Sequence, residues 1–397
     1  MGSLAGATQD EVRRSNLSVV LRLLHQDGAQ TRSHITAVTG LNRSTVGDLV
    51  SALAALGLVR ERSGDVRGVG RPSLLVEPVA TSIAVLALDL RVERTVAALV
   101  GLGGEVLARA ERRHAPGSRD DLLAEVIQVS REVLGSLPTD ASWVGTCIGV
   151  PGVVRVSDGL VRFAPNLGWS DVELGDLMRD QLGGGLGSVW VRNDADLGVL
   201  AEQIRGSARG SSTVLYLAGD IGVGGGIFVD GRPLVGAGGY GGEVGHMRVN
   251  PEGHTCRCGA RGCWETEVGY AALQRAAGPR FQDVALPGLV DAVKNGDPDV
   301  RAAFDSVSDW VGIGLANLVN TFNPECIVLG GHLGVVYAIA GDRVLARLDE
   351  ALPAARELVR VEPSLLGDDA PLIGAAEVAF TQVLEDPIGI LRRSAAS

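Results

Sequence analysis

Residues 242–265 read GEVGHMRVNPEGHTCRCGARGCWE, and four side chains in that stretch organise the reading of everything around it. His246, Cys256, Cys258 and Cys263 lie within eighteen residues, in the order H-x9-C-x-C-x4-C. Three thiolates and one imidazole fill a tetrahedral zinc shell and leave no open position, which is the composition of a structural rather than a catalytic metal. The expectation is a loop built around structural Zn2+.

Outside the loop, the composition sets limits. A chain of 397 residues, 46% of them apolar, can bury large cores and has the length of two or three units. No run reaches 18 consecutive apolar residues, and Met1-Gly2-Ser3-Leu4 lacks the basic start of a signal peptide, so the chain is expected to be soluble and cytoplasmic, away from membranes. Of the five cysteines, only Cys147 and Cys326 lie outside the metal cluster, and both sit in apolar runs. That pattern suggests no disulfide framework and agrees with a reducing compartment. The formal charge is -11, yet residues 1–76 carry nine Arg against six Asp plus Glu. A basic head on an acidic body is compatible with nucleic-acid binding by the head.

The head has its own pattern. Val12, Leu17, Val20, Leu21 and Leu24 recur at helical spacing between Asp10 and Leu24. Thr31 can cap a short helix through Thr39, Gly40 permits a left-handed turn, and Asn42 can cap a further helix ending near Gly57. In that last helix Val46, Leu49, Val50, Leu53 and Leu56 form a buried stripe, leaving Arg43, Ser44, Thr45 and Asp48 outward near its start. Two short helices and a tight turn, then an Arg/Gly-rich stretch ending Arg67-Gly68-Val69-Gly70-Arg71-Pro72, predict a winged helix-turn-helix over residues 1–78. Arg32, Asn42, Arg43, Ser44 and Thr45 are the candidate DNA contacts of the helices, and Arg67 and Arg71 those of the hairpin tip. Arg43 can serve either a guanine edge or a phosphate. The plain alternative is a small helical subdomain with solvated arginines.

From Ser82 the texture becomes α/β. Strand-like runs cover Ile83 to Leu90, Thr95 to Gly101 and Val106 to Ala110, a helix follows over Asp120 to Leu134, and a buried strand runs from Trp143 to Val150. A second such set begins at Thr213 to Leu217, turns through glycines to Val229, and reaches Ile327-Val328-Leu329. The repetition predicts two α/β lobes with a ligand site between them.

Together, Gly242-Glu243-Val244-Gly245-His246 and Cys256-Arg257-Cys258-Gly259-Ala260-Arg261-Gly262-Cys263-Trp264-Glu265 resemble the marker of the ROK family of bacterial repressors and sugar kinases. The likeness covers residues 80–397, and the N-terminal segment resembles the head of the family's transcription-factor branch, of the xylose- or N-acetylglucosamine-repressor type. It implies an α/β fold in which a winged helix-turn-helix joins a two-lobed actin-like, hexokinase-type (ribonuclease H-like) ATPase fold. The expected domains are 1–78; 79–198, completed by a helix over 375–397; and 199–374, with the zinc loop 246–263 and an oligomerisation surface. The resemblance also maps sugar contacts onto Asn193, Asp194, Glu243, His246 and Glu265, with Asn166 in a further family segment. Amides and carboxylates of this kind can take several sugar hydroxyls directionally. His246 would have two duties, one ring nitrogen on zinc and the other facing the sugar.

Kinases of the family use an aspartate as base, and Asp194 stands at that place. Phosphoryl transfer also needs donors and metal around the nucleotide phosphates. The family's first phosphate turn, Asp-x-Gly-Gly-Thr, is here Asp89-Leu90-Arg91-Val92-Glu93, and its second, Gly-Thr-Gly, is Asp220-Ile221-Gly222. Side chains replace glycines where a backbone must approach phosphate, and carboxylates add repulsion. The expectation is therefore a sugar-responsive DNA-binding transcriptional regulator with no catalytic residues. It would act as a homodimer or homotetramer on operator DNA, governed by a sugar or sugar phosphate. The alternatives are a sugar kinase that also binds DNA and a regulator controlled by a protein partner.

Overall fold

A computed structural model describes residues 8–63, 74–114, 117–182 and 188–394, so Arg67 and Arg71 lie outside the described residues. The chain divides into two compact units: residues 1–148, 173–191 and 375–397 form the first, and residues 149–172 and 192–374 the second. The division differs from the expected boundaries, because the head groups with the first α/β unit and residues 149–172 and 192–198 group with the second. A three-stranded patch returning in mid-chain leaves no break in hydrophobic periodicity by which to place it.

In the first unit, the N-terminal segment holds helices Gln9–Asp27, Arg32–Thr39 and Arg43–Ala55. Each starts on a side-chain cap. Thr8 forms a capping box with Glu11, Thr31 accepts from the His34 amide, and Asn42 accepts from the Thr45 amide at 2.8 Å. Gly40, at φ 70°, supplies the left-handed turn between the second and third helices. Leu17, Val20, Leu21, Leu24, Ile35, Val46, Val50 and Leu53 are fully buried, whereas Val12 is 48% exposed and does not join them. Strand Leu74–Pro78 pairs antiparallel with Gln30–Thr31 on one side and Val59–Ser63 on the other.

The α/β part of this unit is a five-stranded sheet in the order Val189–Asn193, Ser142–Val150, Ile83–Leu90, Arg94–Gly101, Val106–Arg113. Ile83–Leu90 is buried along its whole length, as expected of a central strand with both faces covered. It forms a hairpin with Arg94–Gly101, so Arg91, Val92 and Glu93 sit at the hairpin tip. The head is keyed to this unit through His25. Its Nδ1 accepts the Gly103 amide hydrogen at 2.9 Å, its Nε2 lies 3.2 Å from Glu377 Oε2, and its ring centroid is 4.7 Å from that of Phe380. An Nδ1 that accepts fixes the proton on Nε2, which therefore donates to the carboxylate. His25 and Glu377 are both buried.

In the second unit, strands Val153–Arg155, Leu160–Ala164 and Trp169–Val172 form a small antiparallel sheet. A five-stranded sheet follows the order Arg232–Pro233, Val223–Val229, Val214–Gly219, Cys326–Gly330, Arg360–Pro363, its last three strands parallel. The Val214–Gly219 and Val223–Val229 hairpin closes on Gly219 opposite Val223, which places Asp220-Ile221-Gly222 at its tip. The long helix Pro298–Phe322 packs across the core through Phe304, Val311 and Leu315. Trp264, fully buried, donates its indole N–H to the Trp310 carbonyl at 2.8 Å. A Cβ placed on Gly314 would fall 2.1 Å from the Trp264 ring, so this turn of the helix has to be glycine.

Among the described residues, no helix is long and apolar enough to cross a membrane.

Candidate functional site

The cluster of His246 and the three cysteines is assembled on a tightly hydrogen-bonded loop. Val244–His246 forms a single 3-10 turn, and the chain then pairs back on itself through bridges Arg248–Cys263 and Thr255–Arg261. The Trp264 amide bonds to Met247 O at 2.7 Å and the Cys256 amide to Ala260 O at 2.8 Å. Gly262 has φ 76°, and a Cβ there would lie 1.6 Å from Asn250 O, so the return strand can pass only as glycine. The result brings the donor atoms of His246, Cys256, Cys258 and Cys263 within 4.8 Å of one another. Cys256 Sγ is 3.6 Å from His246 Nδ1, and Cys258 Sγ is 3.6 Å from Cys263 Sγ. Two sulfurs on a tetrahedral ion with metal–sulfur bonds of about 2.3 Å stand about 3.8 Å apart. The donor set and its spacing can therefore hold a metal ion.

Around His246 the carboxylates are arranged on two sides. Nδ1, on the cysteine side, is 3.9 Å from Glu265 Oε1, while Nε2 is 3.8 Å from Glu243 Oε2. The ring thus turns one nitrogen to the cysteines and the other to Glu243. Burial raises the Glu243 carboxyl above the ordinary range, partly countered by His246 and reinforced by Glu265. Glu265 lies in the first turn of the short helix Trp264–Val268 and accepts from Cys256 Sγ through Oε1. Its other oxygen reaches the second hairpin tip, where a Cβ on Gly222 would meet Oε2 at 2.9 Å.

Asn193 and Asp194 lie at the start of helix Asp194–Arg205. The Asn193 amide is given to local structure: Oδ1 accepts from Ala195 N and Asp196 N, and Nδ2 donates to Gly152 O at 3.0 Å. Asp194 Oδ1 accepts from Ala195 N at 2.9 Å. Asp196, not singled out from the sequence, joins the group electrostatically. Its pKa is pushed up to about 7 by burial and then by Glu243, against the opposing pull of Arg192. Asn166, half-buried in the turn between Leu160–Ala164 and Trp169–Val172, accepts from Arg257 Nη1. Sequence reasoning passed over Arg257 although it stands between two of the cluster's cysteines.

At the first hairpin tip, Arg91 Nε donates to Asp89 Oδ2 at 2.7 Å, and Asp89 is only 1% exposed. His114 Nε2 lies 3.1 Å from the Arg91 carbonyl oxygen, and the His114 amide donates to Glu93 O. At the second tip the Asp220 amide bonds to Gly222 O at 3.0 Å, and Ile221 is 39% exposed.

The DNA candidates divide by their partners. Arg43 and Ser44 are exposed at the start of helix Arg43–Ala55, with Thr45 half-buried. Asn42 Oδ1 accepts from the Thr45 amide and from Ser44 Oγ, so its carbonyl serves the cap. Arg32 makes a bidentate pair with Glu61, at 2.5 and 2.8 Å, which ties its helix to strand Val59–Ser63. A bidentate partner on the adjacent strand was not visible in the spacing of the two residues.

The family model described as ROK family matches residues 85–382. The chain is 28% identical over 388 residues to a xylose repressor of Bacillus spizizenii, covering 96% of this chain and 98% of that one. It is 29% identical over 319 residues to a glucokinase of Thermotoga maritima, covering 75% of this chain and 97% of the other. A crystal structure of a ROK family transcriptional regulator, homologue of the E. coli MLC protein, superposes with a TM-score of 0.78 over 97% of this chain and 100% of that one, at 24% identity, and shares its fold.

Proposed function

The chain belongs to the ROK family, and from that premise we propose that it is a sugar-responsive, DNA-binding transcriptional repressor of carbohydrate metabolism that transfers no phosphoryl group. The observation that carries this reading is the end-to-end likeness to the xylose repressor, over 96% of this chain, where the glucokinase likeness spans 75%. The head is read as a winged helix-turn-helix, supported by the capped helices Arg32–Thr39 and Arg43–Ala55 and the three-stranded sheet beside them. Arg43, Ser44 and Thr45 would meet the major groove from the start of the second helix of that pair. A symmetric homo-oligomer would present two such heads to a palindromic operator.

The effector site is assigned to the second unit. Glu243, Glu265, His246 and Asp194 supply acceptors and a ring nitrogen, and Asn166 supplies an amide. Zn2+ on His246, Cys256, Cys258 and Cys263 would fold the loop and fix the His246 tautomer, so that Nε2–H points toward Glu243 and the sugar hydroxyls. The two carboxylates would compete for those hydroxyls as acceptors and reject a sugar that leaves them unpaired.

Absence of kinase activity is supported by the Arg91–Asp89 pair at the first hairpin tip. The guanidinium occupies the aspartate that a phosphate-bound cation would use. At the second tip, Asp220 and the nearby Glu265 oxygen add negative charge. A second reading, a sugar kinase that also binds DNA, is favoured by the glucokinase likeness and by Asp194 at the start of its helix.

One experiment separates these. A thermal-shift panel of pentoses, hexoses and their phosphates, with and without operator DNA, reads effector identity and the sign of coupling together. A sugar that shifts the melting temperature and changes operator affinity supports the repressor. ATP-dependent phosphorylation of any sugar, lost in Asp194→Asn, would establish the kinase instead.

A further inference from the structure

The side chain of Arg257 leaves the metal loop between two cysteines of the cluster and reaches a turn in a different sheet, ninety-one residues away in sequence, to bond Asn166. We infer that Arg257 is a positioning residue through which the metal loop sets the orientation of the Asn166 amide, and that Asn166 consequently meets the effector as a hydrogen-bond donor. The inference rests on the sugar-site reading above and adds a polarity and a line of coupling to it.

The polarity follows from elementary chemistry. A guanidinium has five N–H groups and no acceptor, so it can only donate. An amide facing it must turn its oxygen inward, since the reverse orientation would set N–H against N–H. Arg257 Nη1 bonds Asn166 Oδ1 in this sense. The two Nδ2 hydrogens then lie at the opposite edge of the amide, in its plane. Whatever ring substituent meets them has to accept: a hydroxyl oxygen or an acetamido carbonyl qualifies, while a protonated amine does not.

The coupling follows from what holds each end. Arg257 is exposed, but its backbone is flanked by Cys256 and Cys258, and the knuckle is closed by Gly259 N to Cys256 O at 3.0 Å and Cys256 N to Ala260 O at 2.8 Å. At the other end, Asn166 stands in a turn closed by Leu167 N to Ala164 O at 3.0 Å and Gly168 N to Pro165 O at 3.2 Å. A long arginine stem loses its bond if its root wanders, because a freed knuckle restores the rotamer entropy that the contact had removed. Metal on the loop thus orders the amide without touching it.

The test is hydrogen exchange at residues 164–169 in four samples: wild type and Arg257→Ala, each loaded with zinc and stripped by chelation. Loss of one charge-assisted bond corresponds to about a tenfold rise in exchange. The expected result is that rise on stripping wild type, the same rise in zinc-loaded Arg257→Ala, and no further rise when the variant is stripped. Unchanged exchange in the zinc-loaded variant, or a full additional rise on stripping it, would overturn the inference. Should Arg257→Ala shed zinc, Asn166→Ala probes the contact from its other end, and there stripping is expected to leave the turn's exchange unaltered.

Asn166→Asp tests the polarity. It keeps a partner for Arg257 and removes the donor, so the turn stays protected while the thermal shift given by the wild type's best sugar is lost. A retained shift would refute the donor role. If no sugar stabilises the wild type, the sugar-site reading fails, and the exchange arms still decide the Arg257 contact.

Discussion

The Arg91 guanidinium lies 2.7 Å from the carboxylate of Asp89, whose side chain is 2% exposed and two residues back along the same strand end. The pair sets a guanidinium against a carboxylate that is itself buried in the sheet. Such a charge is tolerated only when compensated, and removal of one partner of a buried pair costs about 3–5 kcal/mol.

Arg91→Ala is accordingly expected to lower the urea midpoint, with a loss toward the lower end of about 3–5 kcal/mol because Arg91 keeps some solvent access. Adding Asp89→Asn should recover part of the loss by removing the buried charge. ATP added to wild type should leave its melting curve unmoved. A double variant as unstable as the single one would show that the pair is not what balances Asp89.

Cys258→Ser removes one of four donors, and metal affinity is coupled to loop folding. Elemental analysis should show loss of bound zinc, and exchange should rise across residues 246–264. The effector-free affinity for operator DNA should stay near that of wild type. Full zinc occupancy in the variant would contradict the proposed ligand set.

Arg43→Ala distinguishes two roles for an exposed arginine. If it reads a base, specific operator affinity falls by about 1–3 kcal/mol while nonspecific affinity changes little. If it holds a phosphate, both fall together and the salt slope of binding drops by about one. Unchanged binding at matched salt would misplace the reading helix.

Glu377→Ala strips the buried His25 Nε2–H of its acceptor at a site where Gly103 already occupies Nδ1. An unsatisfied buried donor costs about 1–3 kcal/mol. Faster exchange along Gln9–Asp27 should accompany the loss, since His25 sits in the last turn of that helix. A destabilised protein with unaltered exchange in this helix would assign the pair to the body alone.

Asp196 supplies a pH dependence. Its pKa stands at about 7 in the folded protein against an ordinary 3.8, with burial the main cause and Glu243 the next. The folded state therefore keeps a proton that the unfolded chain has already released. This contribution to stability is complete below the unfolded value and is lost as pH rises through about 7. Asp196→Asn should flatten the melting temperature across that window and raise it at pH values above the folded pKa. An unchanged slope would mean that another group titrates there.

The His/Cys loop was the most legible part of the chain because all of its candidate donors lie in one short stretch, with a glycine at the turn that only glycine can take. The head helices were legible for a similar reason: Thr31, Gly40 and Asn42 act within three or four residues of where they stand. What the sequence concealed was long-range pairing. Nothing in the spacing of Arg32 and Glu61, His25 and Glu377, or Asn166 and Arg257 announces their contact, since each bond depends on how separate elements pack. Asn193 shows the same limit from the other side, because a residue mapped as a sugar contact also has its amide committed to a helix cap and to Gly152. Residues 149–172 group with the second unit rather than with the expected 79–198 segment, and strands this short leave little mark on hydrophobic periodicity.

The indole of Trp264 set against Gly314 has a mechanical consequence. An aromatic plate lodged where a helix offers no side chain acts as a detent: the twenty-five-residue rod Pro298–Phe322 can neither slide along its axis nor roll without driving a Cβ into the ring. Because Cys263 immediately precedes that plate, the loop and the rod are clamped to each other at this one point.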